Sequence, residues 1–244
     1  MVRILCFGLM MMTFVLDGYA YAVTIVYHDF APYEYEENNQ PAGIVVRIVK
    51  KIFKRVEIPL TLKHLPFKRA RKDVKSGKYD GLFILYKTPE REKIYDYTEP
   101  VVYSPLVFFT RKDSEIVFNG KLSDLKGLKI GVFHGYTYGS EFDNFPDFTL
   151  DSATSHRSNM IKLKGKRTDA YICDRAVGIY SSHIAGTVND LKILPKPLKT
   201  MELYMVFTKG KHLATIEKIN PIIKEMNDSG EMNRLIEEFL SKYM

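Results

Sequence analysis

The chain has 244 residues, with 36 Lys and Arg against 29 Asp and Glu, a net charge of +7 and 45% hydrophobic residues. That apolar content supplies a core for one large domain or two smaller lobes, and the composition excludes disordered, collagen-like and low-complexity chains. The positive charge leaves nucleic acid, membrane surfaces and acidic ligands open as partners.

Arg3 precedes an apolar run from Ile4 to Leu16 that is too short to span a bilayer as a helix. Asp17 to Ala22 follows and ends in the small-residue pattern Ala20-Tyr21-Ala22. Charge, apolar run and small residues in that order describe a secretory signal peptide, so residues 1–22 are expected to be removed on export. The alternative is a buried N-terminal helix or an uncleaved anchor. Cys6 lies inside the run, which leaves Cys173 as the single thiol of the mature chain, and an isolated thiol reads as a small buried hydrophobe.

Val23 to Tyr27 is rich in β-branched residues and predicts a first strand. Pro32 and the polar stretch Glu34 to Gln40 predict a turn. Apolar residues at Ile44, Val45, Ile48, Ile52 and Phe53 have helical spacing, so Ile44 to Val56 is expected to be a helix. Leu60 to Leu65 reads as a strand, Phe67 to Ser76 as a short basic helix stopped by Gly77, and Tyr79 to Tyr86 as a strand buried on both faces. Strands alternating with helices argue for a parallel α/β sheet. Val101 to Thr110 is a further β-rich run.

The pattern then starts again. Leu122 to Leu128 leads into the strand Lys129 to Phe133 and a turn at Gly135-Tyr136-Thr137. A polar helix, Ser158 to Lys164, precedes Gly165, and Thr168 to Cys173 is a second buried strand. The chain ends with a strand, Glu202 to Thr208, and two helices, His212 to Asn227 and Glu231 to Lys242, separated by Asp228-Ser229-Gly230. The two halves are alike in architecture but not in sequence.

Metal, nucleophile and phosphate motifs are missing. Two cysteines build no disulfide framework, and no Cys/His spacing matches a zinc site. The six histidines form no HxxxH or HExxH pair, and neither a GxSxG elbow nor a P-loop occurs. Acidic residues are interleaved with the basic ones, which argues against a nucleic-acid stripe. No cofactor or metal is expected.

Several segments, in order, resemble the extracellular solute-binding proteins of family 3, the polar amino-acid receptors of ABC transporters. They are Phe30-Ala31-Pro32-Tyr33-Glu34, Gly43 before its helix, Ser76 to Gly81, Thr88-Pro89-Glu90-Arg91 and Tyr97 to Pro100. In the second half they are Leu125 to Val132, Gly135, Gly165 to Ala170 with Asp174, and Asn227 to Gly230. The resemblance implies an α/β fold of type II periplasmic-binding-protein architecture: two lobes, each a mixed sheet flanked by helices, joined by a two-strand hinge. Lobe 1 is expected over 23–103 plus 200–244, and lobe 2 over 104–199. A cleft between such lobes can desolvate a small ligand.

The resemblance also assigns the ligand-binding candidates. Arg91 would clamp the ligand's α-carboxylate, for which a guanidinium offers two parallel donors and a permanent charge; alone, it could be a solvated residue at a helix start. Thr137 would sit at a helix N-terminus that favours an anion, or serve as an N-cap. Asp174 would take the α-ammonium, unless Arg175 or a nearby lysine pairs with it. Phe30 and Phe67 would stack against the ligand or belong to the core, and Tyr86 could present its hydroxyl. Three departures question a standard amino-acid ligand. Phe83 to Lys87 replaces the usual Ser/Thr-rich stretch, His28 or Asp29 stands where an acidic contact is usual, and Arg69 adds a cation that could equally face solvent.

The expectation is a monomeric periplasmic receptor that captures a small polar, amino-acid-like or carboxylate-bearing solute and delivers it to an ABC permease in the inner membrane. The alternatives are an exported dehydratase of prephenate-like acids on the same scaffold, with Glu34, Asp29 or His28 as its acid, and an orphan sensory binder.

Overall fold

The computed structural model describes residues 21–244. The signal peptide expected over residues 1–22, with Cys6, lies outside that span except for Tyr21 and Ala22. Strand β1 (Val23–Tyr27) buries four of its five residues, as its β-branched composition demands. A hairpin then replaces the expected turn: β2 (Tyr35–Glu37) pairs with β3 (Gln40–Ala42). Asn38 and Asn39 at its tip both adopt positive φ, 50° and 58°, which a tight primed turn requires and asparagine tolerates.

Helix α1 (Ile44–Arg55) buries the expected stripe, including Ile44, Ile48, Ile52 and Phe53. Its start depends on Gly43, at φ 117°: a Cβ there would overlap the Tyr33 carbonyl, which accepts from the Val45 N–H at 2.8 Å. Next come β4 (Leu60–His64), α2 (Phe67–Lys75) and β5 (Gly81–Leu85), whose five residues are all buried. A single helical turn, α3 (Pro89–Glu92), is capped by Thr88, and the long β6 (Tyr95–Arg111) leads into the second half.

That half contains β7 (Lys129–Phe133), a one-turn α4 (Ser140–Asp143), β8 (Thr149–Ala153), α5 (His156–Lys164), β9 (Ala170–Asp174), α6 (Arg175–Ala185) and β10 (Leu191–Ile193). The chain returns on β11 (Lys199–Thr208) and finishes with α7 (Leu213–Asp228) and α8 (Glu231–Leu240), both packed against α1.

The sheet runs β4-β1-β5-β11-β6-β9-β7-β8, with β10 pairing to β6. Each end is parallel, β4-β1-β5 and β9-β7-β8, as the strand–helix alternation predicts. The middle departs from that expectation. Strands β6 and β11 run antiparallel to each other and to their neighbours β9 and β5, because one carries the chain out of the first half and the other brings it back.

The two halves repeat one device. The Asp80 carboxylate accepts the Thr24 N–H at 2.7 Å, and the Asp169 carboxylate accepts the Lys129 N–H at 2.8 Å. In each half the aspartate before a buried strand thereby ties down the start of the neighbouring strand. Those two sequence motifs are structural.

Candidate functional site

A cavity of about 650 Å³ opens where the carboxyl ends of β5 and β9 face each other across β6 and β11. Crevices at strand carboxyl ends are the usual ligand positions in α/β sheets.

Arg91 reaches the cavity from α3. The Thr88 hydroxyl accepts the Arg91 N–H at 3.3 Å and fixes the turn, while the guanidinium donates to the Tyr86 carbonyl at 2.8 Å. Among the described residues no carboxylate lies within 4.0 Å of the Arg91 guanidinium. Tyr86, just past β5, lines the same wall, and burial together with the nearby Asp174 charge pushes its hydroxyl up to about 12.

Asp174 ends β9 and caps α6, accepting the Val177 N–H at 2.8 Å. Its other oxygen accepts from the Tyr33 hydroxyl at 2.7 Å and from the Ser104 hydroxyl. Arg175 does not pair with it, but makes a two-pronged contact with Glu237 at 2.6 and 3.0 Å. Burial raises the Asp174 carboxyl above its ordinary range, partly offset by the hydroxyl and backbone donors.

Phe30 and Phe67 both line the cavity. Behind them His28 packs against each ring, at 6.2 and 4.6 Å between centroids, and its Nδ1 lies 2.6 Å from the Glu34 carboxylate. Glu34 is fully buried, and desolvation pushes its carboxyl up to about 7. His28, Asp29 and Glu34 are not among the residues that line the cavity.

Two of the expected positions have protein partners of their own. Thr137 lines the cavity, but its hydroxyl donates to Asp143, whose carboxylate also accepts the N–H groups of Tyr138 at 3.0 Å and Gly139 at 3.3 Å. The anion-favouring end of this turn is thus filled by the chain's own carboxylate, and α4 is a single turn. Arg69 lies outside the cavity. It is exposed on α2, 3.6 Å from Asp73 one helical turn on, so the solvated-face alternative describes it.

Other lining residues were not legible as such. Lys199 and Met201 alternate along β11 and therefore face the same way, Lys199 opposite Leu106 and Met201 opposite Ser104 of β6. The predicted strand begins only at Glu202, so β11 starts three residues earlier than expected and neither residue is marked. His156 starts α5 beside Phe133, with its Nδ1 2.5 Å from the Tyr171 hydroxyl, and desolvation pulls its ring down to about 4. Cys173 lines the cavity as a buried thiol held well above its ordinary range by burial.

Residues 23–242 match the bacterial extracellular solute-binding proteins, family 3. The chain is 24% identical over 216 residues to the probable amino-acid-binding protein YxeM of Bacillus subtilis, covering 86% of this chain and 80% of that one. It is 27% identical over 217 residues to the arginine-binding extracellular protein ArtP of the same organism, covering 85% and 81%. Among solved structures, the second substrate-binding domain of a putative amino-acid ABC transporter from Streptococcus pneumoniae superposes with a TM-score of 0.76 at 22% identity, over 90% of this chain and all of that one. The expected type II periplasmic-binding-protein architecture is the one observed.

Proposed function

The chain belongs to the bacterial extracellular solute-binding proteins of family 3, and from that premise we propose that it captures a small polar, carboxylate-bearing solute, amino-acid-like in kind, in the 650 Å³ cavity and presents it to an ABC permease. In this reading lobe 1 comprises residues 23–103 with 200–244, lobe 2 comprises 104–199, and β6 and β11 are the hinge on which the lobes close. The mature protein is a periplasmic monomer released by cleavage after Ala22.

One observation carries the reading. Arg91 presents a permanently charged guanidinium to the cavity with no carboxylate within 4.0 Å among the described residues, and a desolvated guanidinium calls for a bidentate anion. Asp174 shares the cavity and retains acceptor capacity for an ammonium group. Tyr86, Phe30 and Phe67 supply apolar faces for the body of the ligand, and Thr137 contributes backbone rather than hydroxyl.

Arginine, which the name of one relative specifies for that relative, is not carried over to this chain. A cationic side chain would meet Lys87 and Lys199 in the same cavity.

Calorimetry against amino acids and small carboxylates tests the reading. Replacing Arg91 by Ala is expected to weaken binding by about 2–5 kcal/mol, at least about thirtyfold in Kd. Affinity unchanged by Arg91→Ala would overturn the clamp.

A further inference from the structure

We propose that Lys199 forms a second anion subsite, so that the ligand selected by this cavity carries two negatively charged groups, one held by Arg91 and one by Lys199. The inference rests on the reading of the cavity as the ligand site.

The charged side chains that line the cavity are Lys87, Arg91, Lys199 and Asp174. Each can be asked whether the protein already supplies its partner. The Lys87 ammonium is 3.0 Å from a Glu92 oxygen and lies over the Tyr97 and Tyr204 rings at 5.5 and 5.9 Å. Asp174, the one anion of these four, accepts from two hydroxyls and a backbone N–H and keeps acceptor capacity for an ammonium group. Arg91 and Lys199 remain. Among the described residues neither has a carboxylate within 4.0 Å.

Lys199 is also held where a ligand would be. It opens β11, is half-buried, and is opposite Leu106, which lines the cavity too. Its ammonium rests above the turn from Thr137 to Gly139: a Cβ placed on Gly139 would lie 3.2 Å from its Nζ, so glycine leaves the lysine its path. Two carboxylates follow that turn: Glu141 lies more than 4.0 Å from the ammonium, and Asp143 is engaged by Thr137, Tyr138 and Gly139.

The surroundings amplify both charges. His156 is held neutral near pH 7 and so adds no charge to the three cations of the lining, Lys87, Arg91 and Lys199, while Phe30, Phe67, Tyr86 and Met201 lower the local dielectric. Two cations without a carboxylate partner among the described residues focus a positive field into one cleft, and matching anions on a ligand offset their desolvation. The implied class is a dicarboxylate, including one that also bears an ammonium for Asp174, with a short apolar spacer against the aromatic wall.

Matched acid and amide pairs test the subsite: glutamate with glutamine, aspartate with asparagine, and glutarate with its monoamide. Affinities are measured by calorimetry at low salt for the purified protein, Lys199→Met and Lys199→Arg. Expected is at least a tenfold preference for the acid of a pair in the unmodified protein, lost in Lys199→Met and retained in Lys199→Arg. An amide that binds as tightly as its acid, or a preference that survives Lys199→Met, overturns the second subsite while leaving the cavity as the ligand site. Absence of binding by every acid and amide, or affinity indifferent to Arg91→Ala, overturns the underlying reading and the subsite with it. A circular-dichroism melt of each variant separates loss of the subsite from loss of the fold.

Discussion

His156 lines the cavity and Glu34 is buried outside its lining, and burial acts on both with opposite consequences for pH. His156 is kept neutral by desolvation, with its ring pulled from 6.5 to about 4. Between those values the unfolded chain takes up a proton that the folded chain refuses, so stability falls as pH drops from about 6.5 to 4, by at most about 1.4 kcal/mol per pH unit. Glu34 moves the other way, from 4.5 to about 7, because its burial favours the protonated acid. Its contribution is complete below 4.5 and is lost as pH rises through 7. Urea melts from pH 4 to 8 should therefore show a flattened acid limb in His156→Gln and a flattened stretch between 4.5 and 7 in Glu34→Gln. Profiles parallel to that of the unmodified protein would refute these assignments. At this scale the sequence exposes what sits in contiguous motifs: Arg91 in its Thr-Pro-Glu-Arg turn, and Asp174 at the end of a buried strand. Lys199, Met201 and His156 come from segments far apart in sequence, and only the crossing of β6 and β11 and the start of α5 bring them together.

Helix α6 shows why some elements escape a reading from pattern. Its sequence, Arg175 to Ala185, includes Gly178, Ser181 and Ser182, weak helix formers that blur the periodicity visible in α1. The glycine is there for packing. A Cβ on Gly178 would overlap the Phe109 ring of β6 and lie 2.9 Å from the Cys173 Sγ of β9. Gly→Ala inside a helix ordinarily gains up to about 1 kcal/mol, but overpacking a core costs about 1–3 kcal/mol. Gly178→Ala should lower the melting temperature, and adding Phe109→Leu should recover part of the loss. A rise in melting temperature for the single variant would show that the helix can move away from β6. The hairpin β2–β3 escaped for a different reason: its strands are three residues each with none buried, so no apolar alternation marks them. Strand β8 is an edge strand with no buried residue, and is equally hidden.

For the whole molecule, the alternation of strands and helices predicts the two parallel ends of the sheet, and the family resemblance supplied the two-lobed plan. Neither contains the direction of the middle strands, which follows from where the chain crosses. That crossing has a temporal consequence. The part built on β7, β8, β9, α5 and α6 closes from one continuous stretch, Lys129 to Ala185. The part built on β1, β4 and β5 stays unfinished until the final segment arrives, since Gly81 pairs with Phe207 and α1 packs against α7 and α8. Local contacts form before distant ones because closing a long loop costs entropy without early return. In refolding followed by pulsed hydrogen exchange, amides of β7 and β9 should be protected before those of β1 and β5, and simultaneous protection would refute that order. A ribosome delivers the chain in the same sequence of opportunities, so the first strand to emerge waits for the last helices before it has a place to settle.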